Sequence, residues 1–475
     1  MKRVVVLNVV GLTKSVLGVH TPRINGFLEE GEVSTFAPAF PAVTCTAQSS
    51  YVTGKRDSEH GIVANGWYDR EAAEVKFWKQ SNHIVQGEKI WDKLRREVPG
   101  FTCAKLFWWY NMYATADWTI TPRPMYPADG SKVFDVYTQP MEMREQIKAD
   151  LGDFPFTTFW GPNASIPSSQ WIAESAKWVE QKHQPTLSLV YLPHLDYGLQ
   201  KFGPGAPEMD VEIQRIDTVV GDLIDFFEAR EVEVVLVSEY GISKVDKPVH
   251  LNRIFREKGW ITIKEEQGTE MLDCGASKVF AVADHQVAHI YINDASLREE
   301  VIEVLSGTPG IEEVRTAEES FGSQSDKCEV RSVECQDDEA AAGFAKAIER
   351  SGDLIAVSEE DSWFTYYYWM DDALAPDFAR CVDIHRKPGY DPVELFLDPE
   401  LKAPKLKIAQ FLLKKKLGLR ALLDVIPLDA GLVKGSHGRD RVCEDEQPIY
   451  ATRGKHMPVN AAEEVFERIC AAVKG

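Results

Sequence analysis

An α/β architecture is expected for this chain: a mostly parallel central sheet with helices on both faces, plus a small α+β subdomain. Three observations carry that expectation. Short β-branched runs alternate with amphipathic helical stretches through the first half of the chain, the pattern of a sheet built from strand–helix units. Polar clusters follow directly on several of those runs, as they do where strands end at a ligand-binding edge. After residue 245 the pattern changes to short strand, helix and strand, and later returns to long apolar stretches.

The first element is a core strand, Val4–Asn8. Two basic residues precede it in MKRVVVLNVVG, which invites an export-signal reading. The apolar run is short, Val-rich and ends without a small-residue cleavage site, so a strand is the better reading. Further core strands are expected at Thr102–Phe107, Thr186–Tyr191 and Val232–Val237. Helices are expected around Cys45–Thr53, Glu88–Glu97, Ser168–Lys182 and Asp210–Ala229. The last spaces Val211, Ile213, Ile216, Val219, Val220, Leu223 and Ile224 at helical period. Beyond residue 245, a strand at His289–Asn293, a helix at Ser296–Ser306 and a strand at Ile311–Arg315 define the subdomain. The expected division is a core of residues 1–245 and 350–475 and a subdomain of 246–349. Within the subdomain, 318–345 is polar and acidic without periodicity and reads as a surface insertion.

Composition narrows the function classes. The 475 residues are long enough for one large α/β core with a subdomain. Lys and Arg number 53 against 74 Asp and Glu, a net charge of −21. That balance argues against general affinity for nucleic acid or anionic membranes, which require a basic field. A phosphorylated small molecule remains compatible, because a bound metal supplies positive charge locally. No stretch approaches the ~18 apolar residues of a membrane span. Eight scattered cysteines without a CxxC motif point to a reducing, cytoplasmic setting, with Cys328 and Cys335 the one pair placed for a local bridge. The oligomeric state is not legible.

Four polar clusters fall at predicted strand ends: Asn8, the pair His194/Asp196, Ser238–Gly241, and His437 in KGSHGRD. Each alone is explained by a strand reaching the surface; four in one chain point to a site. Thr44 begins a short predicted helix ending at Gly54, where free N–H groups favour a phosphate, although a plain helix cap looks the same. Aromatic residues follow another strand end at Phe107–Tyr110, with Trp108 and Tyr110 as candidate substrate contacts and core packing as the alternative. A basic trio, His385, Arg386 and Lys387, is a candidate phosphate contact or a charged turn.

The stretch from Pro38 to Asn65, PAFPAVTCTAQSSYVTGKRDSEHGIVAN, resembles the nucleophile segment of the type I phosphodiesterase/nucleotide pyrophosphatase family, within the alkaline phosphatase superfamily. The segment Asp196-Tyr-Gly-Leu-Gln200-Lys-Phe-Gly-Pro is similar to that family's D-x-x-G-H-x-x-G-P. Ser238-Glu239-Tyr240-Gly241 stands in the place of S-D-H-G, and Gly435–Gly438 is similar to the final G-T/S-H-G. The resemblance implies Thr44 as nucleophile and Asn65 as a donor to a phosphate oxygen. It implies one metal site from Asp196, Gln200 and His437, and a second from Asn8, Thr44, Glu239 and Tyr240. Amide, longer carboxylate and phenol thus replace several of the family's Asp and His ligands. That set is harder and richer in oxygen, so one or two manganese, magnesium or iron ions are expected in preference to zinc. His194, His285 and His385 are candidate substitutes for the missing imidazoles, as are Asp284 and His289. The implied function is metal-dependent hydrolysis of phosphodiester or pyrophosphate bonds through a phosphothreonine intermediate. The alternative is an altered or inactive member that binds a phosphorylated ligand.

Overall fold

The computed structural model describes residues 1–128, 131–322, 338–419, 421–454 and 457–475. The strand Arg3–Val9 lies in the middle of an eight-stranded sheet. Its valines and Leu7 are buried on both faces, as a strand covered by helices on each side requires. It runs parallel to Leu187–Leu192 on one side and to Val232–Val237 on the other. Cys103–Leu106 and Trp118–Pro122 continue the parallel set. The edges are antiparallel: Val136–Gln139 on one flank, Ile449–Thr452 and Glu32–Thr35 on the other. The expected mostly parallel sheet is therefore present, with edge strands of only four residues that carry too little pattern to be read in advance.

The expected helices form with boundaries shifted by a few residues. Pro207–Glu228 buries Ile216, Val219, Val220, Leu223 and Ile224. Val211 does not share that face and is 49% exposed. Five residues before Ile216, it sits about 140° round a helix of 3.6 residues per turn.

A second, antiparallel sheet takes its strands in the order Val279–Asp284, Val287–Ile292, Leu354–Ser358, Ile311–Thr316. Leu354–Ser358 thus belongs to the small sheet, and the chain's expected return to the core at residue 350 comes later. The reading of 318–345 as an aperiodic insertion is also corrected where it is described. Thr316 and Glu319 form a reciprocal capping box that opens a helix at Ala317–Phe321. Asp338–Arg350, with five alanines, is a helix. It packs on the short helix Asp57–His60, with Gly343 so close to the Glu59 carbonyl that a side chain has no room. Cys328 and Cys335 lie outside the described residues. The aromatic run Trp363–Trp369 is buried, with Tyr366, Tyr367, Tyr368 and Trp369 at the centre of a core cluster.

The register of the large sheet locates the site. Asn8 pairs with Tyr191 and with Val237. The carboxyl ends of three adjacent parallel strands therefore stand side by side, and the residues just beyond them converge.

Candidate active site

Thr44 is the first residue of the helix Thr44–Thr53, whose every residue is buried. A helix this polar tolerates burial because its hydroxyls bond back to the backbone: Ser49 donates to the Cys45 carbonyl and Thr53 to the Ser49 carbonyl, both at 2.7 Å. Val43 precedes the helix without a side-chain cap, and Thr44 does not cap it either. The Thr44 hydroxyl instead lies 3.0 Å from the Tyr240 hydroxyl. Tyr240 in turn donates to Asp196 Oδ1 at 3.3 Å. The cap explanation for Thr44 is therefore not what its side chain does.

Three buried carboxylates surround this point. Asp196 accepts from Gln200 Nε2 at 2.7 Å through Oδ2. Glu239 accepts through Oε1 from Asn8 Nδ2 at 2.5 Å and from Gln48 Nε2 at 2.7 Å. Asp284 accepts the backbone N–H of Asn65 at 2.8 Å and its side-chain amide at 3.1 Å. Burial pushes Asp196 and Asp284 up to about 7 and Glu239 up to about 8. Among the described residues, no Lys or Arg forms an ion pair with any of the three.

The imidazoles are held by rings and backbone. Four rings stack in sequence, with 3.7 Å between successive centroids: Tyr240, His437, His285 and Tyr390. His437 Nδ1 donates to the Ala42 carbonyl at 2.7 Å, which leaves the Nε2 lone pair free, 3.7 Å from Asp196 Oδ1. Burial holds His437 down to about 3 and His285 well below the ordinary imidazole range, so both are neutral. His285 adopts φ 62°, a left-handed conformation sparsely used by non-glycine residues. Tyr390 donates to Gln200 Oε1 at 2.9 Å.

This donor set fits a hard divalent cation. His437 Nε2, Glu239 Oε2 and Asn8 Oδ1 are buried acceptors with no hydrogen-bond partner. Of these, His437 Nε2 lies 3.7 Å from Asp196 Oδ1, and Asn8 and Glu239 are joined to each other through their remaining polar atoms. Uncompensated buried carboxylates and bare lone pairs are what a cation offsets. Among the described residues, no group of three or more His, Cys, Asp and Glu side chains stands close enough together to hold a metal ion by itself; the acceptors gathered here are two carboxylates, one amide oxygen and one imidazole, richer in oxygen than a zinc-type cage.

Several expected residues sit elsewhere than the sequence suggested. Gln200 donates to Asp196 through Nε2 and accepts from Tyr390 through Oε1. Burial, with Asp196 and Glu239 beside it, pushes the Tyr240 phenol well above its ordinary value, and its hydroxyl bridges Thr44 and Asp196. His194 opens a helix, His194–Phe202, so Asp196 two residues on points to another side, and His194 Nε2 lies 2.8 Å from Glu212. His385 is set against the Phe77 backbone and Asp383. Arg386 pairs with Asp377, and Lys387 is buried between Asp391 and Glu394 at 2.7 Å each, which neutralises the basic trio. His289 bonds only to backbone groups of Val63 and Gly352.

Trp108 and Tyr110 point into the core, 1% and 2% exposed. The half-buried ring between them is that of Trp109, whose backbone N–H donates to Gln48 Oε1 at 2.7 Å. Trp109 lies 4.7 Å from Trp78, and Trp78 and Trp160 flank Tyr390 at 6.1 and 5.7 Å. Sequence reasoning missed Gln48, Trp78, Trp160 and Tyr390. Only Gln48 carried a signal: it follows Thr44 by four residues, on the same helical face. Asn65 Oδ1 accepts the backbone N–H of Cys45, the residue after Thr44, at 3.1 Å.

Comparison with known proteins gives the family and the fold. The model of the family described as type I phosphodiesterase / nucleotide pyrophosphatase matches residues 4–391. An uncharacterized pyrophosphatase/phosphodiesterase of Schizosaccharomyces pombe is 26% identical over 234 residues, 47% of this chain and 41% of that protein. Human bis(5'-adenosyl)-triphosphatase is 23% identical over 238 residues, 49% of this chain and 45% of that protein. The match thus spans less than half the length of either relative. Among solved structures, murine ectonucleotide pyrophosphatase/phosphodiesterase 5 in complex with AMP superposes with a TM-score of 0.56 at 15% identity, covering 100% of this chain and 95% of that one. Phosphonoacetate hydrolase from Sinorhizobium meliloti 1021 in complex with phosphonoformate gives 0.59 at 14% identity, with 100% and 95% covered. These likenesses show an alkaline phosphatase-like α/β fold.

Proposed function

The chain belongs to the type I phosphodiesterase/nucleotide pyrophosphatase family, and we propose that it hydrolyses a phosphodiester or pyrophosphate bond of a small phosphorylated substrate through Thr44. One observation carries this reading: the Thr44 hydroxyl sits at a helix N-terminus among buried carboxylates and bare lone pairs. Asp196 and His437 would hold one divalent ion, and Asn8 and Glu239 would hold a second. An ion held there lowers the pKa of a hydroxyl or water and offsets charge on phosphoryl oxygens. The oxygen-rich set favours manganese, magnesium or iron over zinc. Among the described residues, the thiols of Cys45, Cys103, Cys274, Cys381, Cys443 and Cys470 are free; a reducing, cytoplasmic compartment is proposed from the scattered cysteine spacing of the sequence.

In the proposed reaction, Thr44 Oγ forms a bond to phosphorus and the bond to the leaving oxygen breaks, its electron pair departing with that oxygen. The Thr44 proton has a path through the Tyr240 hydroxyl to Asp196. Helix N–H groups and the second amide hydrogen of Asn65 donate to the phosphoryl oxygens. Water then attacks phosphorus, the P–Oγ bond breaks, and Thr44 is restored. Acid-quenching the enzyme during turnover of a chromogenic diester, followed by peptide mass spectrometry, tests this. The phosphoryl adduct is expected on Thr44; an adduct on another residue contradicts the reading. Substrate bound without turnover by any of these metals favours the alternative, a ligand-binding member altered at Gln200 and Tyr240.

A further inference from the structure

The segment from Leu401 to Leu423 contains seven Lys and Arg residues and no Asp or Glu, in a chain of net charge −21. Its helix, Pro404–Lys416, has no buried residue. Ile408 and Phe411, on one side, are partly covered. On the opposite side Leu406, Leu413 and Leu417 are 59, 58 and 64% exposed. These leucines are seven and eleven residues apart, so at 3.6 residues per turn they fall within about 40° of arc and make one stripe. Lys407 and Lys414 lie about 80–100° to one side of the stripe, Lys405 and Lys416 about as far to the other. Leu419 and Leu422 extend the exposed apolar surface beyond the helix.

We infer that this helix docks the protein on an anionic lipid surface, lying in the plane of the interface. Isolated exposed leucines need no explanation, but a leucine stripe on an otherwise strongly acidic protein does. Lys407 is held by Asp424 at 2.8 Å, whereas Lys414 on one flank and Lys405 and Lys416 on the other are placed to extend their stems along the apolar face and set their ammonium groups among lipid phosphates. The charge complementarity is local: acidic surface elsewhere is repelled by such a membrane, which orients the protein with this helix down. No helix among the described residues is long and apolar enough to cross a membrane, so the contact is peripheral.

The test is cosedimentation of the full chain with vesicles of phosphatidylcholine alone or mixed with phosphatidylserine. Two double variants accompany it, Lys414→Gln/Lys416→Gln and Leu413→Ser/Leu417→Ser. All four side chains are exposed, and an unchanged melting temperature confirms folding. Binding is expected only to the mixed vesicles, weakened about thirtyfold by the lysine pair at ~1 kcal/mol each. It is expected to be reduced by the leucine pair and released near 1 M salt, where the Debye length is about 3 Å. The proposal is overturned if the wild type stays in the supernatant. It is also overturned if the leucine pair has no effect, which assigns the lysines to an acidic soluble partner. Concentration-dependent dimerisation lost in the leucine variant, without vesicle binding, would assign the stripe to a second copy.

Discussion

The Tyr240 ring lies flat on the His437 imidazole, 3.7 Å between centroids and 9° between planes. The stack carries the Tyr240 hydroxyl to a point between Thr44 and Asp196, where it bridges the two. His437 is itself fixed by the Ala42 carbonyl, so the bridge is held by a rigid support. Tyr240→Phe keeps the ring and removes the bridge. Turnover of a chromogenic phosphodiester is expected to fall about 10²-fold, within the usual span for a lost proton-transfer group, with KM little changed. A variant within twofold of wild type would show that the bridge is not used.

Glu239 depends on two amides that have no other carboxylate to serve. Gln48→Leu removes one donor to Glu239 and also the acceptor for the Trp109 N–H. Leaving buried polar groups unpaired costs about 1–3 kcal/mol. Urea unfolding is expected to show a loss of that size, and a loss below about 0.5 kcal/mol would mean that the two groups find other partners.

The buried triad of Lys387, Asp391 and Glu394 is assigned to structure, not to phosphate binding. Lys387→Met strands two carboxylates, and breaking a buried ion pair costs about 3–5 kcal/mol. Thermal denaturation is expected to report that loss while KM for substrate stays within a few-fold of wild type. A large rise in KM with stability intact would restore the phosphate-contact reading of HRK.

His289 makes stability depend on pH. Its Nε2 donates to the Val63 carbonyl and its Nδ1 accepts the Gly352 N–H, an arrangement open only to the neutral ring. Burial lowers it to about 4. Below about 6.5 the unfolded chain takes up a proton that the folded chain refuses, so stability is full above that pH and falls as pH drops toward 4. The difference corresponds to about 3 kcal/mol. Subtracting the unfolding free energy of His289→Gln from that of wild type isolates this contribution. It is expected to shrink between pH 6.5 and 4, and a flat difference would contradict it.

The fold was legible where pattern is long. Val4–Asn8, Val232–Val237 and the helix ending at Glu228 repeat apolar residues over enough positions to fix both type and place. Four-residue edge strands such as Ile449–Thr452 do not, and neither does Leu354–Ser358, whose assignment to the small sheet depends on long-range pairing. In the site, Thr44, Asn65, Asp196, Glu239 and His437 come together because register aligns the strand ends. The side chains that complete it, Gln48, Tyr390, Trp78 and Trp160, arrive from separate segments whose convergence no local pattern encodes. His194 stands two residues before Asp196, and the helix they share turns it toward Glu212. At Trp108 and Tyr110, the half-buried ring is the one between them.

The reading as a whole rests on Thr44. Hydrolysis of chromogenic phosphodiester and phosphomonoester probes should be measured for wild type and Thr44→Ala, each stripped with a chelator and resupplied with Mn²⁺, Mg²⁺, Fe²⁺ or Zn²⁺. Turnover is expected only with metal restored, greater for the diester, and abolished in Thr44→Ala while the protein still melts cooperatively. Metal-dependent turnover that survives unchanged in Thr44→Ala would contradict the account.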